Sequence, residues 1–107
     1  MLDFELSTHD EICSALGSRL RAQRLQQLLT QDELARRAGV SLGTVRKLES
    51  SGLSSTASAV RIAMSLGLAD QLQTLFQPQV WSIAQMERAE LAQRQRAPKR
   101  PRPAARP

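Results

Sequence analysis

The chain has 107 residues, of which 41% are hydrophobic, and a net charge of +5. This length predicts one small domain, and with two Phe, one Trp and no Tyr its core must be built from Leu, Ile, Val and Ala. No apolar run approaches the ~18 residues of a membrane span, and acidic Asp3 and Glu5 stand where a signal peptide needs basic residues.

The first eight residues precede the first predicted helix. Apolar and polar side chains alternate there, the apolar ones being Leu2, Phe4 and Leu6. This period is typical of a short strand that could pair across a dimer, although a loosely docked arm over residues 1–8 is favoured. Thr8 and Glu11 form a capping box, so a helix should begin near His9. Its apolar face is expected at Ile12, Leu16, Leu20 and Leu28.

Two residues of this helix could carry chemistry but lack the partners for it. His9 has no second ligand at metal-binding spacing and is expected to be an exposed residue of the first turn. Cys13 is the single cysteine, so it cannot form an internal disulfide, which fits a reducing cytoplasm. Its expected role is that of a small buried residue.

Residues 30–49 predict a short helix, a tight turn and a second short helix. Thr30 and Glu33 form a capping box for the first helix. Gly39 can adopt the left-handed conformation that ends this helix, and Ser41 is a strong N-cap for the next one. The side chains expected to face the core are Leu34, Ala35, Ala38, Val40, Val45 and Leu48.

This stretch resembles the helix-turn-helix of the phage repressors and Cro proteins, the XRE-type family. The residues that carry the resemblance are Thr30, Gln31, Glu33, Leu34, Ala35, Ala38, Gly39, Val40, Ser41, Thr44, Val45, Leu48 and Glu49. A looser likeness extends over residues 16–76. The resemblance implies an all-α fold, with a five-helix repressor-like domain over residues 9–77. It also implies that Arg24 pairs with Glu49, the alternative being a solvent-facing arginine.

The same resemblance implies a DNA-binding surface, because the second helix of such a motif enters the major groove. Lys47 can donate to guanine O6 and N7, and Leu42 can contact a thymine methyl group. The residues expected to contact DNA are Gln31, Ser41, Leu42, Gly43, Thr44, Arg46, Lys47 and Arg19. Many resembling repressors carry polar residues at the positions of Leu42 and Gly43, so DNA shape should supply more of the specificity here.

Two further helices are expected after a Ser-rich loop over residues 50–58. The first spans about residues 56–66, with Gly67 as its C-cap and with Val60, Ala63, Met64 and Leu66 facing inward. A short fifth helix follows over residues 68–76. We expect a homodimer formed through Leu68, Leu72, Leu75, Phe76 and Trp81.

A helical extension is predicted over residues 78–96, and a disordered tail is predicted to follow it. Ser82 and Gln85 form a capping box for a helix to residue 95, whose thin apolar stripe comprises Ile83, Met86 and Leu91. Such a helix needs a docking partner, and Trp81 is either its anchor or a cover for the main core. Residues 97–107 interleave four prolines with basic residues and are expected to be disordered.

Positive charge is concentrated in two regions. Residues 18–49 carry seven basic and three acidic side chains, and residues 94–107 carry six basic and no acidic ones. A basic motif suits the phosphate backbone of DNA. With the resemblance, it predicts a sequence-specific repressor that binds an inverted-repeat operator as a homodimer.

The layout of arm, domain and basic tail resembles HipB-type antitoxins, which implies a HipA-like kinase toxin as partner and regulation of their own operon. A stand-alone regulator from a phage or restriction–modification locus is the alternative. A protein-interaction adaptor is the alternative from another class. No enzyme activity, cofactor or metal is expected, because the sequence has no nucleophile–base pair, metal-ligand cluster or phosphate-binding glycine loop.

Overall fold

The computed structural model describes residues 2–79 and 82–96, and all the regular elements in these ranges are helices. A 3₁₀ turn, Phe4–Leu6, precedes α1 (His9–Gln26), α2 (Gln31–Ala38), α3 (Leu42–Ser51), α4 (Thr56–Ser65) and α5 (Ala69–Gln73). Residues up to Leu75 form one compact unit, and Phe76 begins a second unit that contains α6 (Ile83–Arg96). The all-α class and the five-helix domain are therefore confirmed. The tail predicted over residues 97–107 lies outside the described residues.

Reciprocal capping boxes begin α1 and α2, as the sequence predicts. The Thr8 hydroxyl accepts the Glu11 N–H at 3.2 Å, and the Glu11 carboxylate accepts the Thr8 N–H at 3.0 Å. Thr30 and Glu33 exchange the same two bonds at 3.0 and 2.8 Å. Each N-cap satisfies an N–H that has no partner inside the helix, which stabilises the protein by roughly 1 kcal/mol.

The hydrophobic core lies among the first four helices. Leu34, Val45 and Ile62 are its most deeply buried large side chains, at 0%, 0% and 1% exposure. The other buried apolar residues are Leu29, Ala35, Ala38, Leu48, Ala63 and Leu66. Each large apolar side chain contributes about 1.5–3 kcal/mol when fully buried. This packing fixes α2 and α3 against each other, and it confirms the inward positions predicted for both helices.

Two glycines bring α1 and the end of α3 together, backbone to backbone. Gly17 is buried in α1, and a Cβ added to it would overlap the carbonyl oxygen of Leu48. Gly52 ends α3 in the left-handed conformation (φ +76°), and a Cβ there would overlap the Cys13 carbonyl group. A larger residue at either position would force the two helices apart.

The N-terminal segment is a helical turn, so the strand alternative for it is wrong. The Asp3 carboxylate accepts the Glu5 N–H at 3.0 Å, and the Ser7 hydroxyl donates to the Asp3 carbonyl at 2.6 Å. These short-range bonds close a 3₁₀ turn before the α1 capping box. The Phe4 ring lies under the Arg19 guanidinium, 5.0 Å from its central carbon.

Three predicted inward positions are also wrong, and the first is Leu16, which is 45% exposed on α1. α1 ends at Gln26, and Leu28 then adopts a left-handed conformation (φ +59°) with 90% exposure. Leu29 enters the core in its place, at 8% exposure. In α4, Met64 is 59% exposed whereas Ile62 is buried.

Two helix ends also differ from the prediction. α3 extends to Ser51, so the loop after it begins later than residue 50. α5 ends at Gln73, before the predicted residue 76.

The second unit contains α6, which begins at the predicted capping box. The Ser82 hydroxyl accepts the Gln85 N–H at 3.2 Å, and the Gln85 side chain accepts the Ser82 N–H at 3.0 Å. Its apolar side chains are exposed, namely Ile83, Met86 and Leu91. Across residues 2–79 and 82–96, no helix combines the length and apolar character needed to cross a membrane.

Candidate nucleic-acid interface

A three-residue turn joins α2 to α3 and sets the direction of α3. Gly39 ends α2 with φ +70°, and its N–H bonds back to the carbonyls of the last turn. The Val40 N–H donates to the Ala35 carbonyl at 3.0 Å, and the Val40 side chain packs against the core. Ser41 then caps α3 by accepting the Thr44 N–H at 3.0 Å. Every step of this connection is held by a local bond, so the start of α3 is presented in a defined orientation.

The first half and the middle of α3 present polar groups and cations to solvent. Gly43, Arg46 and Lys47 are exposed, whereas Leu42 and Thr44 are half-buried. The Ser41 and Thr44 hydroxyls bond to each other at 2.8 Å. The side chains of Arg46 and Lys47 form no hydrogen bond or ion pair with any residue in the described ranges. Both cations are therefore free to bind an anion or a base edge.

Arg24 and Glu49 form a buried ion pair between α1 and the end of α3. Arg24 Nε donates to Glu49 Oε2 at 2.7 Å, and Nη2 donates to Oε1 at 3.0 Å. Arg24 Nη1 also donates to the Leu29 carbonyl at 2.7 Å. Both residues are buried, at 6% and 5% exposure, so the predicted pair is present and the arginine does not face solvent.

The pKa values of this pair shift in the directions that favour both charges. Burial alone would raise the pKa of Glu49, but hydrogen bonds from Arg24 and Gln31 and the charges of Arg24 and Arg21 hold it below its usual value. The hydrogen bond to Glu49 raises the pKa of Arg24, and burial opposes this. The pair is therefore fully ionised near neutral pH.

Gln31, the first residue of α2, is connected to the same carboxylate. Its Nε2 donates to Glu49 Oε1 at 3.0 Å. The start of α2 is thus tied to the end of α3 through a polar bond, in addition to the apolar core. The sequence contains no local signal for this contact, because the two residues lie 18 positions apart.

A comparison with known protein families shows what this arrangement is similar to. Residues 20–69 match the family model described as helix-turn-helix, a span that includes α2, the turn and α3. This segment is therefore similar to the helix-turn-helix domains of the XRE type. The match supports a DNA-binding transcription regulator. No curated protein matches the chain.

The two exposed arginines of α1, Arg19 and Arg21, lie in different surroundings. Arg19, which the sequence places among the DNA contacts, is stacked on Phe4. Arg21 instead lines an open groove with Thr30 and Gln31 at the start of α2. Residues two positions apart on an α-helix are rotated by about 200° around its axis. The side chains of Arg19 and Arg21 therefore leave α1 on nearly opposite sides. Arg21 was not among the residues predicted to contact DNA.

The residues predicted to form a dimer interface differ in exposure. Leu75 and Phe76 are exposed, at 53% and 92%, and Leu72 is half-buried. Leu68 packs against the core of its own chain. Trp81 lies outside the described residues, and the dimer interface stays a prediction.

A metal site was not expected from the sequence. Among the described residues, no group of three or more His, Cys, Asp or Glu side chains could hold a metal ion. His9 is 90% exposed, with its Nδ1 3.1 Å from the Asp10 carboxylate. It is an exposed residue of the first helical turn, as predicted.

Proposed function

We propose that this protein is a sequence-specific transcriptional repressor that binds an inverted-repeat DNA operator as a homodimer. The observation that carries the proposal is the exposed face of α3, where Arg46 and Lys47 have no partners among the described residues. A helix that reads the major groove needs such free donors on the face that enters the groove. The buried pair of Arg24 and Glu49 supports the proposal because it holds this helix rigidly against the domain.

The proposed base contacts are few. Lys47 can donate to guanine O6 and N7, and Leu42 offers only an apolar contact to a thymine methyl group. Gly43 has no side chain, so the backbone can approach the groove closely. The hydroxyls of Ser41 and Thr44 already bond to each other, which reduces their capacity for DNA. DNA shape and deformability therefore carry a larger share of the proposed specificity.

The proposed homodimer follows from the small number of base pairs that one helix reads. Two-fold dimers read two half-sites about 34 Å apart. Leu72, Leu75 and Phe76 supply apolar surface for the proposed interface, and two of these three side chains are more than half exposed.

The test is selection of bound duplexes from a random DNA pool. We expect enrichment of a short inverted repeat whose half-sites lie about 10–10.5 base pairs apart, or a multiple of this. Lys47→Glu is the matched control, because its surface position leaves folding intact but places a negative charge in the groove. No enrichment with the wild-type protein would contradict the repressor function and favour a protein-interaction adaptor.

Within this function, we propose that the protein is the autoregulatory antitoxin of a HipA/HipB-like operon, acting in the cytoplasm. The support is the layout of the chain, with an N-terminal arm, the helix-turn-helix domain, a helical extension and a basic tail. The exposed stripe of Ile83, Met86 and Leu91 offers an apolar surface to a HipA-like kinase toxin.

The adjacent gene and a co-purification experiment test the antitoxin role. We expect a HipA-like kinase gene beside this one and a stable complex between the two purified proteins. Absence of both would favour a stand-alone phage or restriction–modification regulator. DNA binding by the isolated protein would be unaffected by that outcome, so the two levels of the proposal are tested separately.

A further inference from the structure

We infer that Arg21, and not Arg19, is the α1 arginine that contacts the DNA backbone, and that it binds a phosphate together with Gln31. The inference rests on the proposed function and adds a residue to its binding surface. It is carried by the different surroundings of two identical side chains on one helix.

Arg21 has the properties of an unused anion-binding group. It is exposed, and within the described ranges its side chain donates no hydrogen bond. The charge of Arg21 helps to lower the pKa of Glu49, but that carboxylate is already bonded by Arg24 and Gln31. The donors of Arg21 are therefore available to a ligand from outside.

Gln31 lies in the same groove with one donor to spare. A carboxylate only accepts hydrogen bonds, so the contact with Glu49 must use the amide NH₂ group of Gln31. One of its two N–H bonds is used there, and the other remains for a phosphate oxygen. Thr30 also lines the groove, but its N–H and hydroxyl are already bonded to Glu33 in the capping box. Two features of one groove, the donors of Arg21 and the second N–H of Gln31, thus suit the same ligand.

Arg19 lacks these properties. Its guanidinium stacks on the Phe4 ring at 5.0 Å, which is a cation–π distance. Phe4 lies between Asp3 and Glu5, so the segment that covers Arg19 is acidic and repels phosphate. Arg19 therefore holds the N-terminal turn against α1 rather than binding DNA.

The experiment compares Arg21→Ala with Arg19→Ala, which remove the same side chain from opposite sides of one helix. DNA affinity is measured by fluorescence anisotropy between 50 and 200 mM KCl. The probes are the duplex recovered by selection and a mixed-sequence duplex of equal length. Each lost phosphate contact reduces the slope of log affinity against log salt by about 0.9, so Arg21→Ala should reduce it by about 1.8 in a dimer. Arg19→Ala should keep the wild-type slope.

Two results would overturn the inference while leaving the proposed function intact. One is an unchanged slope for Arg21→Ala, and the other is an equal reduction for both variants. Failure of the wild-type protein to bind either duplex would instead overturn the proposed function, and this inference with it. Thermal melting followed by circular dichroism checks that both variants are folded, and Arg21→Gln repeats the test with a shorter polar side chain that carries no charge.

Discussion

Arg24 and Glu49 lie 25 residues apart in the chain, yet two hydrogen bonds of 2.7 and 3.0 Å join their buried side chains. The remaining polar atoms of the pair are also used, since Arg24 reaches the Leu29 carbonyl and Glu49 accepts the Gln31 amide. Breaking a buried pair is costly because the surviving charge is left unpaired in the protein interior. The pair therefore acts as a brace that connects α1 and the start of α2 to the end of α3.

The brace predicts a large loss of stability for Glu49→Ala. The unpaired Arg24 charge should lower the free energy of unfolding by about 3–5 kcal/mol. Asp32→Ala is the control, because Asp32 and Arg36 form an exposed pair that contributes only ~0–1 kcal/mol. Urea denaturation measures both variants. Equal losses for the two variants would show that the buried pair does not stabilise the fold more than a surface pair.

The Glu49 carboxylate should make the stability of the protein depend on pH. The pKa of Glu49 is lower in the folded protein, since the bonds from Arg24 and Gln31 outweigh burial. The unfolded state then binds a proton more readily than the folded state. The contribution of the ionised Glu49 to stability is therefore present above the unfolded pKa of about 4.3, and it is lost as the pH falls below this value. The stability difference between wild type and Glu49→Gln should shrink on acidification from pH 6 to about pH 3. A difference that stays constant would contradict this assignment.

A comparison of two glycines tests the close approach of α1 and α3. Gly17→Ala places a Cβ on the Leu48 carbonyl oxygen, and a backbone atom cannot rotate away. We expect a loss of ~3 kcal/mol, the upper part of the range for overpacking. Gly43→Ala meets nothing closer than the Ser41 hydroxyl at 3.9 Å and should stabilise α3 by up to ~1 kcal/mol. Thermal melting that ranks Gly17→Ala as the more stable variant would show that the helices can separate at little cost.

The parts of the fold that follow from neighbouring residues could be predicted from the sequence. Thr8 and Glu11 lie three positions apart, as do Thr30 and Glu33, so each capping box depends on one helical turn. Gly39 likewise ends α2 because its own backbone conformation is left-handed. Such features can be predicted without knowing how distant residues of the chain pack.

The parts that depend on how the helices pack could not be predicted in this way. Helical periodicity places Leu28 on the core face, but α1 ends at Gln26 without a glycine or proline to mark it. The Leu29 N–H then bonds to the Arg24 carbonyl, which brings Leu29 into the core. The choice between Arg19 and Arg21 has the same origin, because only the packing of α1 shows which side borders Gln31.

The two adjacent cations of α3 should have different effects on DNA recognition. They differ by about 100° around the helix, so one can enter the groove while the other meets the backbone. Lys47→Ala should relax the preference at one base position in each half-site, at a cost of roughly 1–3 kcal/mol. Arg46→Ala should weaken binding to all sequences about equally. Repeating the selection with each variant measures this, and a changed consensus for Arg46→Ala alone would mean that the two roles are exchanged.

The basic tail should add affinity for DNA without adding sequence specificity. Residues 94–107 carry six basic side chains and no acidic one, and such a sequence can neutralise the phosphates of any DNA. The domain holds this tail near the DNA at high local concentration. A chain ending at Gln93 should lose about 0.9 in salt slope for every phosphate contact removed, while its selected sequence stays the same. A full-length chain with glutamine at these six positions removes the charge of the tail but keeps its number of residues, so the effects of charge and of chain length can be distinguished. An unchanged slope in both would exclude the DNA role and leave an acidic partner protein as the ligand of the tail.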